Sequence, residues 1–323
     1  MTAPNLISDW ANGFAKLYSK QDLTRSPEEM WIATMAHCSS IGEAIRKSDY
    51  VELMFFACKV FCWMLSFSVR IKKDPHPLFR IDNEFCDIVY FKFPEVCGHC
   101  TDSQCTCQPV EMDAKKDKAG KYKKLLEKWE RAHRGKGNST SYSIADWLKI
   151  FTDIYGGRIH LQTLETLGFH FLEEAGEEAF AIRKLIQLRG ALGAKIAGLD
   201  EASIKKLTTI PNIAKAYISL GKGKLDGKPH FKLNAATKEN IFSRIVDAKM
   251  DLMIELADAF SFFCSILIKL SKVTIAENKH FVADLESRLI KMYGEPKTGL
   301  ICPECKKDVC DCSFFSNIDV VGK

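Results

Sequence analysis

One spacing of four cysteines occurs twice in this chain of 323 residues and restricts how the chain can fold. The two copies are Cys97-x2-Cys100-x4-Cys105-x-Cys107 and Cys302-x2-Cys305-x4-Cys310-x-Cys312. Eight of the 13 cysteines therefore belong to one repeated pattern, and its copies lie 205 positions apart. Cysteines separated by one or two residues suit a metal ion better than disulfide bridges. We therefore predict two metal sites of four cysteines each and an internal duplication.

Zinc is the ion expected at both sites, because four closely spaced cysteines match tetrahedral zinc coordination by sulfur. An iron–sulfur cluster stays open as an alternative, since spacing alone does not exclude it. Neither pattern leaves a ligand position open, so we expect structural ions that stabilise the fold and its interfaces. The remaining cysteines are predicted to be small core residues on apolar helical faces, namely Cys38, Cys58, Cys62, Cys86 and Cys264.

A second self-match appears when the chain is shifted by 137 positions. Trp, Phe and Tyr recur at i, i+4 and i+8, the spacing of one helical stripe, so these shared residues are predicted to lie in the core. The first-half residues are Asp9, Trp10, Phe14, Tyr18 and 44–47, and their matches are Asp146, Trp147, Phe151, Tyr155 and 181–184. Strand signals are few, so we predict an all-α fold of two tandem helical bundles.

The duplication divides the chain into three predicted parts. Residues 1–112 form a first half that ends in a cysteine pattern, and residues 113–142 form a basic connector. Residues 143–323 form the second half, which carries a basic insert at 185–244 between its second and third helices. Two apolar runs of ten residues, 60–69 and 259–268, are about half the length that spans a bilayer. We therefore expect buried helices, no membrane segment, and, without a signal-peptide pattern, a cytoplasmic protein.

Positive charge is concentrated in two segments, although the net charge of the chain is only +5. Residues 113–136 contain ten Lys or Arg against four Asp or Glu, and residues 185–250 contain twelve against five. Two solvated surfaces are one explanation, and a polyanionic ligand is the other. We expect the connector to be a mostly helical, solvated segment, and Pro211 to break a helix within the insert.

The second half carries two acidic motifs on consecutive predicted helices, Glu173-Glu174-x-x-Glu177 and Glu255-x-x-Asp258. Spacing i, i+3 places both members of a pair on one helix face. Inward-facing carboxylates repel one another and are costly to desolvate, and a divalent cation removes that cost. Mg²⁺ (or Mn²⁺) prefers such oxygen ligands. A solvated face is a common alternative for the first motif, but the second lies within a run of phenylalanines.

The first half lacks both motifs. Under the shift of 137 positions, Ala36, His37 and Ser40 stand where the second half has Glu173, Glu174 and Glu177. No register of the third helix restores a Glu-x-x-Asp pair in the first half. We therefore expect the first half to be the inactive copy.

Together these motifs resemble the all-α nucleoside triphosphate pyrophosphohydrolases of the MazG type. The resemblance includes the segment LETLGFHFLEEAGEEAFAIRK at 164–184 and the terminal cysteines. It implies Mg²⁺-dependent cleavage of a nucleoside triphosphate to the monophosphate and pyrophosphate. By resemblance, four residues would hold the metal and Glu173 would be a further ligand or would orient the attacking water; the four are Glu174, Glu177, Glu255 and Asp258. One departure is the separation of 78 positions between Glu177 and Glu255, which is longer than is usual in the family and leaves the substrate open.

A triphosphate needs basic residues to bind its negative charges, and two pairs of residues are candidates. Arg183 and Lys184 lie about two turns beyond the first acidic motif, but their recurrence at 46–47 also fits a structural role. Lys222 and Lys224 lie in a Gly-rich segment that lacks the P-loop pattern. His170 is interpreted as a packed or interfacial histidine, not as a ligand.

Family members build their sites at helical dimer interfaces, so the first half is expected to supply the partner subunit within this chain. One active site per chain follows, and a homo-oligomer stays possible. Two other classes remain open. One is a zinc protein that binds nucleic acid, because zinc knuckles can grip nucleic acid, and the other is a nucleotide sensor with little turnover. The base, the sugar and a lid role for the insert are left open.

Overall fold

The computed structural model describes residues 4–22, 24–107, 118–133, 142–192, 204, 206–220, 238–277 and 284–312. Within these ranges the secondary structure is helical, with a single isolated β-bridge and no strand. The predicted all-α class is confirmed. The helices are α1 (Ile7–Leu17), α2 (Ser19–Asp22), α3 (Pro27–Lys47), α4 (Tyr50–Lys72), α5 (Phe85–Lys92), α6 (Lys118–His133), α7 (Ile144–Leu161), α8 (Leu164–Leu192), α9 (Ile210–Ser219), α10 (Lys238–Glu277) and α11 (Leu285–Tyr293).

The chain divides into two compact units, and both take residues from either side of the predicted connector. The first unit contains Met1–Arg70, Ser141–Ala179 and Ala259–Lys323. The second contains Ile71–Thr140 and Phe180–Asp258. The three parts predicted from the duplication are divisions of the sequence, and they stay a prediction.

In the first unit, α1 and α7 begin in the same way. Ile7 opens α1 and Ile144 opens α7, which are 137 positions apart. Each first turn contains an aspartate that accepts a hydrogen bond from the backbone N–H before the helix, at 2.9 Å for Asp9 and 2.8 Å for Asp146. This capping arrangement satisfies a donor that would otherwise have no partner at a helix start. The sequence preceding Ile7 and Ile144 also forms the isolated antiparallel bridge.

The aromatic stripes of α1 and α7 adopt the same geometry. The ring centroids of Trp10 and Phe14 lie 5.8 Å apart with an interplanar angle of 29°, and those of Trp147 and Phe151 lie 5.6 Å apart at 26°. All four side chains are fully buried. The Trp and Phe positions of the stripe are therefore core, as the helical spacing predicts, whereas Tyr18 and Tyr155 are half-buried.

Helices α3 and α8 pack against each other in the first unit. Trp31 donates a hydrogen bond from Nε1 to the carbonyl of Ala175 at 3.1 Å. A Cβ built on Gly168 would lie 2.7 Å from Cδ1 of Ile45, so the absence of a side chain at Gly168 permits this close approach. The contacts pair the start of one helix with the later part of the other, which means that the two helices run antiparallel.

The two apolar runs lie in α4 and α10, and both are buried. By length and composition α4 is apolar enough to cross a membrane, but 83% of its most apolar window is buried in the protein. This burial is typical of a core helix. The expected absence of a membrane partner and the cytoplasmic location stay predictions.

In the second unit, the middle of the basic connector is helical, as predicted, but only one of its faces is exposed to solvent. It forms α6, whose apolar face buries Tyr122, Leu125 and Trp129. Tyr122 packs edge-on against Tyr217 of α9, with ring centroids 5.2 Å apart. This apolar face was missed in the sequence because lysines stand between its apolar residues, which recur only every three or four positions.

The predicted insert is also more helical than expected. Helix α8 continues to Leu192, and α10 already begins at Lys238. Pro211 does not break a helix but lies in the first turn of α9, where a missing N–H costs nothing. The amide of Ile210 donates to Oδ1 of Asn83 at 2.7 Å, which fixes the start of α9 within the second unit.

Candidate metal centres

Each cysteine pattern brings its four sulfur atoms together. In the first knuckle (residues 97–107) and in the second knuckle (residues 302–312), all four Sγ atoms lie within 4.8 Å of one another. Individual Sγ–Sγ distances include 3.5 Å for Cys97–Cys105 and 3.8 Å for Cys302–Cys312. Both predicted groups of four cysteines are therefore arranged so that one metal ion can be held in each.

The two knuckles share one backbone arrangement. The amide of Cys97 donates to the carbonyl of Asp102 at 2.8 Å, and the amide of Cys302 donates to that of Lys307 at 2.8 Å. Thr101 and Lys306 follow the second cysteine of each pattern and have φ values of 63° and 60°. A left-handed residue is uncommon outside glycine, so its recurrence marks the same tight turn.

The second knuckle is attached to the first two helices within the first unit. The amide of Cys310 donates to the carbonyl of Leu17 at 2.7 Å. Nε2 of Gln21 donates to Sγ of Cys310 at 3.2 Å, and Lys20 forms an ion pair with Asp311 at 2.7 Å. These bonds join the C-terminal pattern to α1 and α2.

The first knuckle is attached to α5 and α6 within the second unit. Lys128 of α6 donates from Nζ to the carbonyl of Thr101 at 3.2 Å. Gly98 packs against Lys92 at the end of α5, because a Cβ at Gly98 would lie 2.8 Å from Cε of Lys92. The knuckle thus covers a lysine that sequence reasoning did not single out.

The first acidic pair lies on α8 within the first unit. Carboxylate oxygens of Glu174 and Glu177 lie within 4.8 Å of each other. Glu174 is half-buried and Glu177 is exposed. Their i, i+3 spacing therefore places both on one face, as predicted.

Glu173, the further predicted site residue, is 62% exposed and accepts a hydrogen bond from Nδ1 of His170 at 3.3 Å. His170 also stacks on the ring of Phe262, with centroids 5.2 Å apart. This contact agrees with the interpretation of His170 as a packed residue. Glu173 therefore lies at the edge of the acidic face, and the ring of His170 is held in place beside it.

Sequence reasoning missed Glu178, which follows the first acidic motif directly. Its side chain is fully buried in the first unit. Burial raises the pKa of the neighbouring Cys38 thiol, and the charge of Glu178 raises it further. A doubled pair of glutamates, Glu173-Glu174 and Glu177-Glu178, was the available signal, but helical spacing does not show which member faces inward.

The second acidic pair lies on α10 within the second unit, and both residues are half-buried. Asp258 forms an ion pair with Lys92, whose Nζ lies 2.9 Å from Oδ2 of Asp258. Burial opposes the charge of Lys92, but Asp258, together with Glu255, raises the pKa of Lys92 above its ordinary value. One oxygen of Asp258 is therefore engaged by an ammonium group. Its predicted role as a metal ligand stays a prediction.

The phosphate-binding roles of the four basic candidates stay predictions. Arg183 and Lys184 are both exposed on α8, and Lys184 pairs with Asp251 at 2.7 Å. Such an exposed ion pair exchanges readily with water and ligands. Lys222 and Lys224 lie outside the described residues.

The residues of the first half that match the acidic motif have different surroundings. His37 is 4% exposed, and neither ring nitrogen has a hydrogen-bond partner among the described residues. Burial lowers the pKa of His37 to about 4, and the charge of Lys59 adds to this effect. Ser40 donates from its hydroxyl to the carbonyl of Ala36 at 3.1 Å. This face of α3 thus offers no carboxylate to a metal.

The chain matches no protein-family model, no curated protein and no solved structure. The resemblance to MazG-type pyrophosphohydrolases therefore stays a prediction that depends on the motifs alone.

Proposed function

We propose that this protein is a Mg²⁺-dependent pyrophosphohydrolase that cleaves a nucleoside or deoxynucleoside triphosphate to the monophosphate and pyrophosphate. Glu174 and Glu177 of α8 and Glu255 and Asp258 of α10 would hold the cation. Glu173, exposed beside them, would orient the attacking water.

The observation that carries this proposal is the paired carboxylates of α8. Their oxygens lie within 4.8 Å of each other on one helix face. Two negative charges at this distance repel each other, and a hard dication relieves the repulsion. The pair on α10 has the same spacing, and both of its members are half-buried. A fully solvated glutamate needs no cation nearby, so the half-buried carboxylates are stronger support for a cation site than the exposed ones.

Bound Mg²⁺ would supply charge neutralisation on the phosphate oxygens and a lower pKa for coordinated water. The protein's own residues would supply position. Glu174 lies partly out of solvent, so its carboxylate has fewer conformations than one on a free helix surface. Such positioning and electrostatic stabilisation provide most of the catalysis in phosphoryl chemistry.

We further propose that the chain arose by internal duplication, with the first half as the inactive partner and one active site per chain. The equivalent helix starts, aromatic stripes and knuckles support this proposal. The first half, which lacks the carboxylates, would then contribute to folding but not to catalysis. Assembly into a homo-oligomer is compatible with one site per chain.

Zinc is the ion we propose for both knuckles, in a structural role. Tetrahedral zinc with Zn–S bonds of about 2.3 Å holds its sulfur ligands about 3.8 Å apart. The Cys97–Cys107 and Cys302–Cys312 separations are 3.9 Å and 3.8 Å. An iron–sulfur cluster distributes its four cysteines over two or more iron atoms, so some of them would lie farther apart than the 4.8 Å that contains all four Sγ atoms of each knuckle.

The direct test is incubation of the protein with each common nucleotide and Mg²⁺, followed by chromatographic separation of the products. We expect one or more triphosphates to yield monophosphate and pyrophosphate. Glu174→Gln and Asp258→Asn should abolish this release, while the control Asp153→Asn should retain it, because Asp153 is an exposed residue in a surface ion pair. Tight nucleotide binding without product would contradict hydrolysis and favour a nucleotide sensor.

Nucleic-acid binding is a second candidate function, because a basic helix adjoins a cysteine knuckle. Helix α6 contacts the first knuckle and exposes Lys123 and Lys124. Single-stranded nucleic acid binds such positive surfaces with a strong dependence on salt. This candidate predicts binding that survives Glu174→Gln and is weakened by Lys123→Glu with Lys124→Glu. The pyrophosphohydrolase predicts the opposite pattern for its own activity.

A further inference from the structure

We propose that Lys92 is the internal counter-ion of the acidic site. It engages one oxygen of Asp258 and lowers the affinity of the site for a free cation, so that the cation enters with its nucleotide. This inference deepens the proposed function and rests on it. It assigns a positioning role to a residue from the first half of the chain.

Lys92 is so deeply buried that its charge requires a partner of opposite charge. It is the last residue of α5 and is 2% exposed. An unpaired ammonium group at that depth would be strongly destabilising, because its hydration is lost. Its Nζ lies 2.9 Å from Oδ2 of Asp258, which is a charge-assisted hydrogen bond. The burial of Lys92 therefore depends on both residues of the pair being charged.

The first knuckle restricts the movement of Lys92. Gly98 stands between Cys97 and Cys100, and a Cβ there would lie 2.8 Å from Cε of Lys92 and 3.1 Å from its carbonyl oxygen. A metal ion bound by these cysteines fixes the backbone of Gly98. The lysine side chain is thus enclosed by the knuckle on one side and ends at Asp258 on the other.

This arrangement has two electrostatic consequences for the acidic site. A fixed positive charge beside Asp258 repels a dication, and the hydrogen bond to Oδ2 of Asp258 competes with a cation for that oxygen. The same charge attracts an anionic phosphate group. The site is therefore better matched to a cation that arrives as a nucleotide complex than to a free cation.

The test measures Mn²⁺ binding without nucleotide, from the loss of the electron paramagnetic resonance signal of hydrated Mn²⁺. Mn²⁺ prefers oxygen ligands, so the cysteine knuckles compete little. We expect Lys92→Met to bind Mn²⁺ at least about tenfold more tightly than wild type, because loss of charge repulsion outweighs loss of one orienting hydrogen bond. Lys92→Arg, which keeps the charge, should stay within about threefold of wild type.

A matched control and a second variant keep the test decisive. Lys149→Met removes an exposed lysine that also pairs with an aspartate at 2.9 Å, and its Mn²⁺ affinity should equal that of wild type. If Lys92→Met leaves Asp258 without a hydrogen bond and fails to fold, Lys92→Gln takes its place, because glutamine removes the charge and keeps a donor for Asp258. Lys92→Gln should also bind Mn²⁺ at least about tenfold more tightly than wild type.

Equal affinities of wild type and Lys92→Met, or of wild type and Lys92→Gln, would overturn the inference and leave the proposed function standing. Absence of Mn²⁺ binding in wild type and in every Lys92 variant would overturn both. Binding that appears only on removal of Lys92 would support the inference in its strongest form. Pyrophosphate release by wild type, measured separately, reports on the proposed function alone.

Discussion

Helices α3 and α8 begin 137 positions apart and pack against each other, but they present different chemistry at matched positions. Glu174 on α8 is half-buried with a second carboxylate nearby, whereas His37 on α3 is buried beside Phe56, with ring centroids 6.0 Å apart. The same backbone arrangement therefore tolerates either a charged face or a neutral one. What changes between them is the charge of the matched side chains and their exposure to solvent.

The two cysteine knuckles show the opposite behaviour. They lie in different units and keep the same sulfur grouping, turn and hydrogen bonds. A feature retained in both halves serves the fold that both require, whereas a feature present in one half serves a task that only one performs. This comparison supports the proposal that the knuckles are structural and that the carboxylates take part in the chemistry.

The largest effect is expected from breaking a knuckle. Cys97→Ser with Cys100→Ser should reduce bound zinc from two ions to one per chain, and Cys302→Ser with Cys305→Ser should do the same. Structural zinc contributes on the order of 10 kcal/mol of binding free energy, which is folding free energy for the segment that binds it. Elemental analysis and chemical denaturation measure both losses. Equal zinc content in wild type and either variant would contradict the proposed structural role.

The next effect tests the difference between the helices directly. Glu174→His with Glu177→Ser places the residues of α3 on α8 and should reduce pyrophosphate release more than about 100-fold. That loss of activity is larger than the loss usually caused by removing a residue that only hydrogen-bonds to a metal ligand. The unfolding free energy should change by less than about 1 kcal/mol, because neither glutamate is buried. A variant that keeps its turnover would show that the carboxylates form only a solvated face. Pyrophosphate assays and urea unfolding supply the two measurements.

The features that depend on local spacing could be predicted from the sequence. The aromatic stripes follow from their i, i+4 period, and the start of α7 follows from Ser143 and Asp146, which exchange hydrogen bonds as a capping box. The pairing of Lys92 with Asp258 joins residues 166 positions apart. Helical periodicity identifies a buried face but not what lies against it, so this contact could not be predicted.

The same limit applies to other buried polar groups. Lys249 is fully buried in the second unit, where its Nζ donates to the carbonyls of Arg80 and Leu207 at 2.8 Å and 2.6 Å. Nothing in the sequence around it distinguishes it from the exposed lysines of the basic segment. Burial lowers its pKa to about 7. Only the fold shows that the charge balance of that segment includes a lysine without solvent contact.

His37 gives a smaller effect with a defined pH window. Its pKa is about 4 in the folded protein, below the ordinary value of 6.5, because burial disfavours the charged ring. The unfolded chain therefore binds a proton first as the pH falls, and stability is lost between about pH 6.5 and pH 4. Relative to His37→Phe, wild type should lose about 2 kcal/mol of unfolding free energy between about pH 7 and pH 4.5.

Urea unfolding at several pH values checks this expectation. The variant shares every other titratable group with wild type, so the difference between the two curves isolates His37. Parallel curves would show that His37 is accessible to protons in the folded state, and would break the contrast between α3 and α8 at this position.

The smallest effect comes from Gly176, which lies between Glu174 and Glu177 within α8. A Cβ built there meets nothing within 4 Å, and its backbone is helical. Gly176→Ala should therefore stabilise the protein by about 0.5–1 kcal/mol, the usual gain for such a change inside a helix. Gly168→Ala is the comparison on the same helix, because its Cβ would lie 2.7 Å from Ile45 and should offset that gain. Helical spacing directs Gly176 away from the face that Glu174 and Glu177 share, so the stabilised Gly176→Ala variant should keep its turnover. Slower turnover would show that the substrate also contacts this other side of α8.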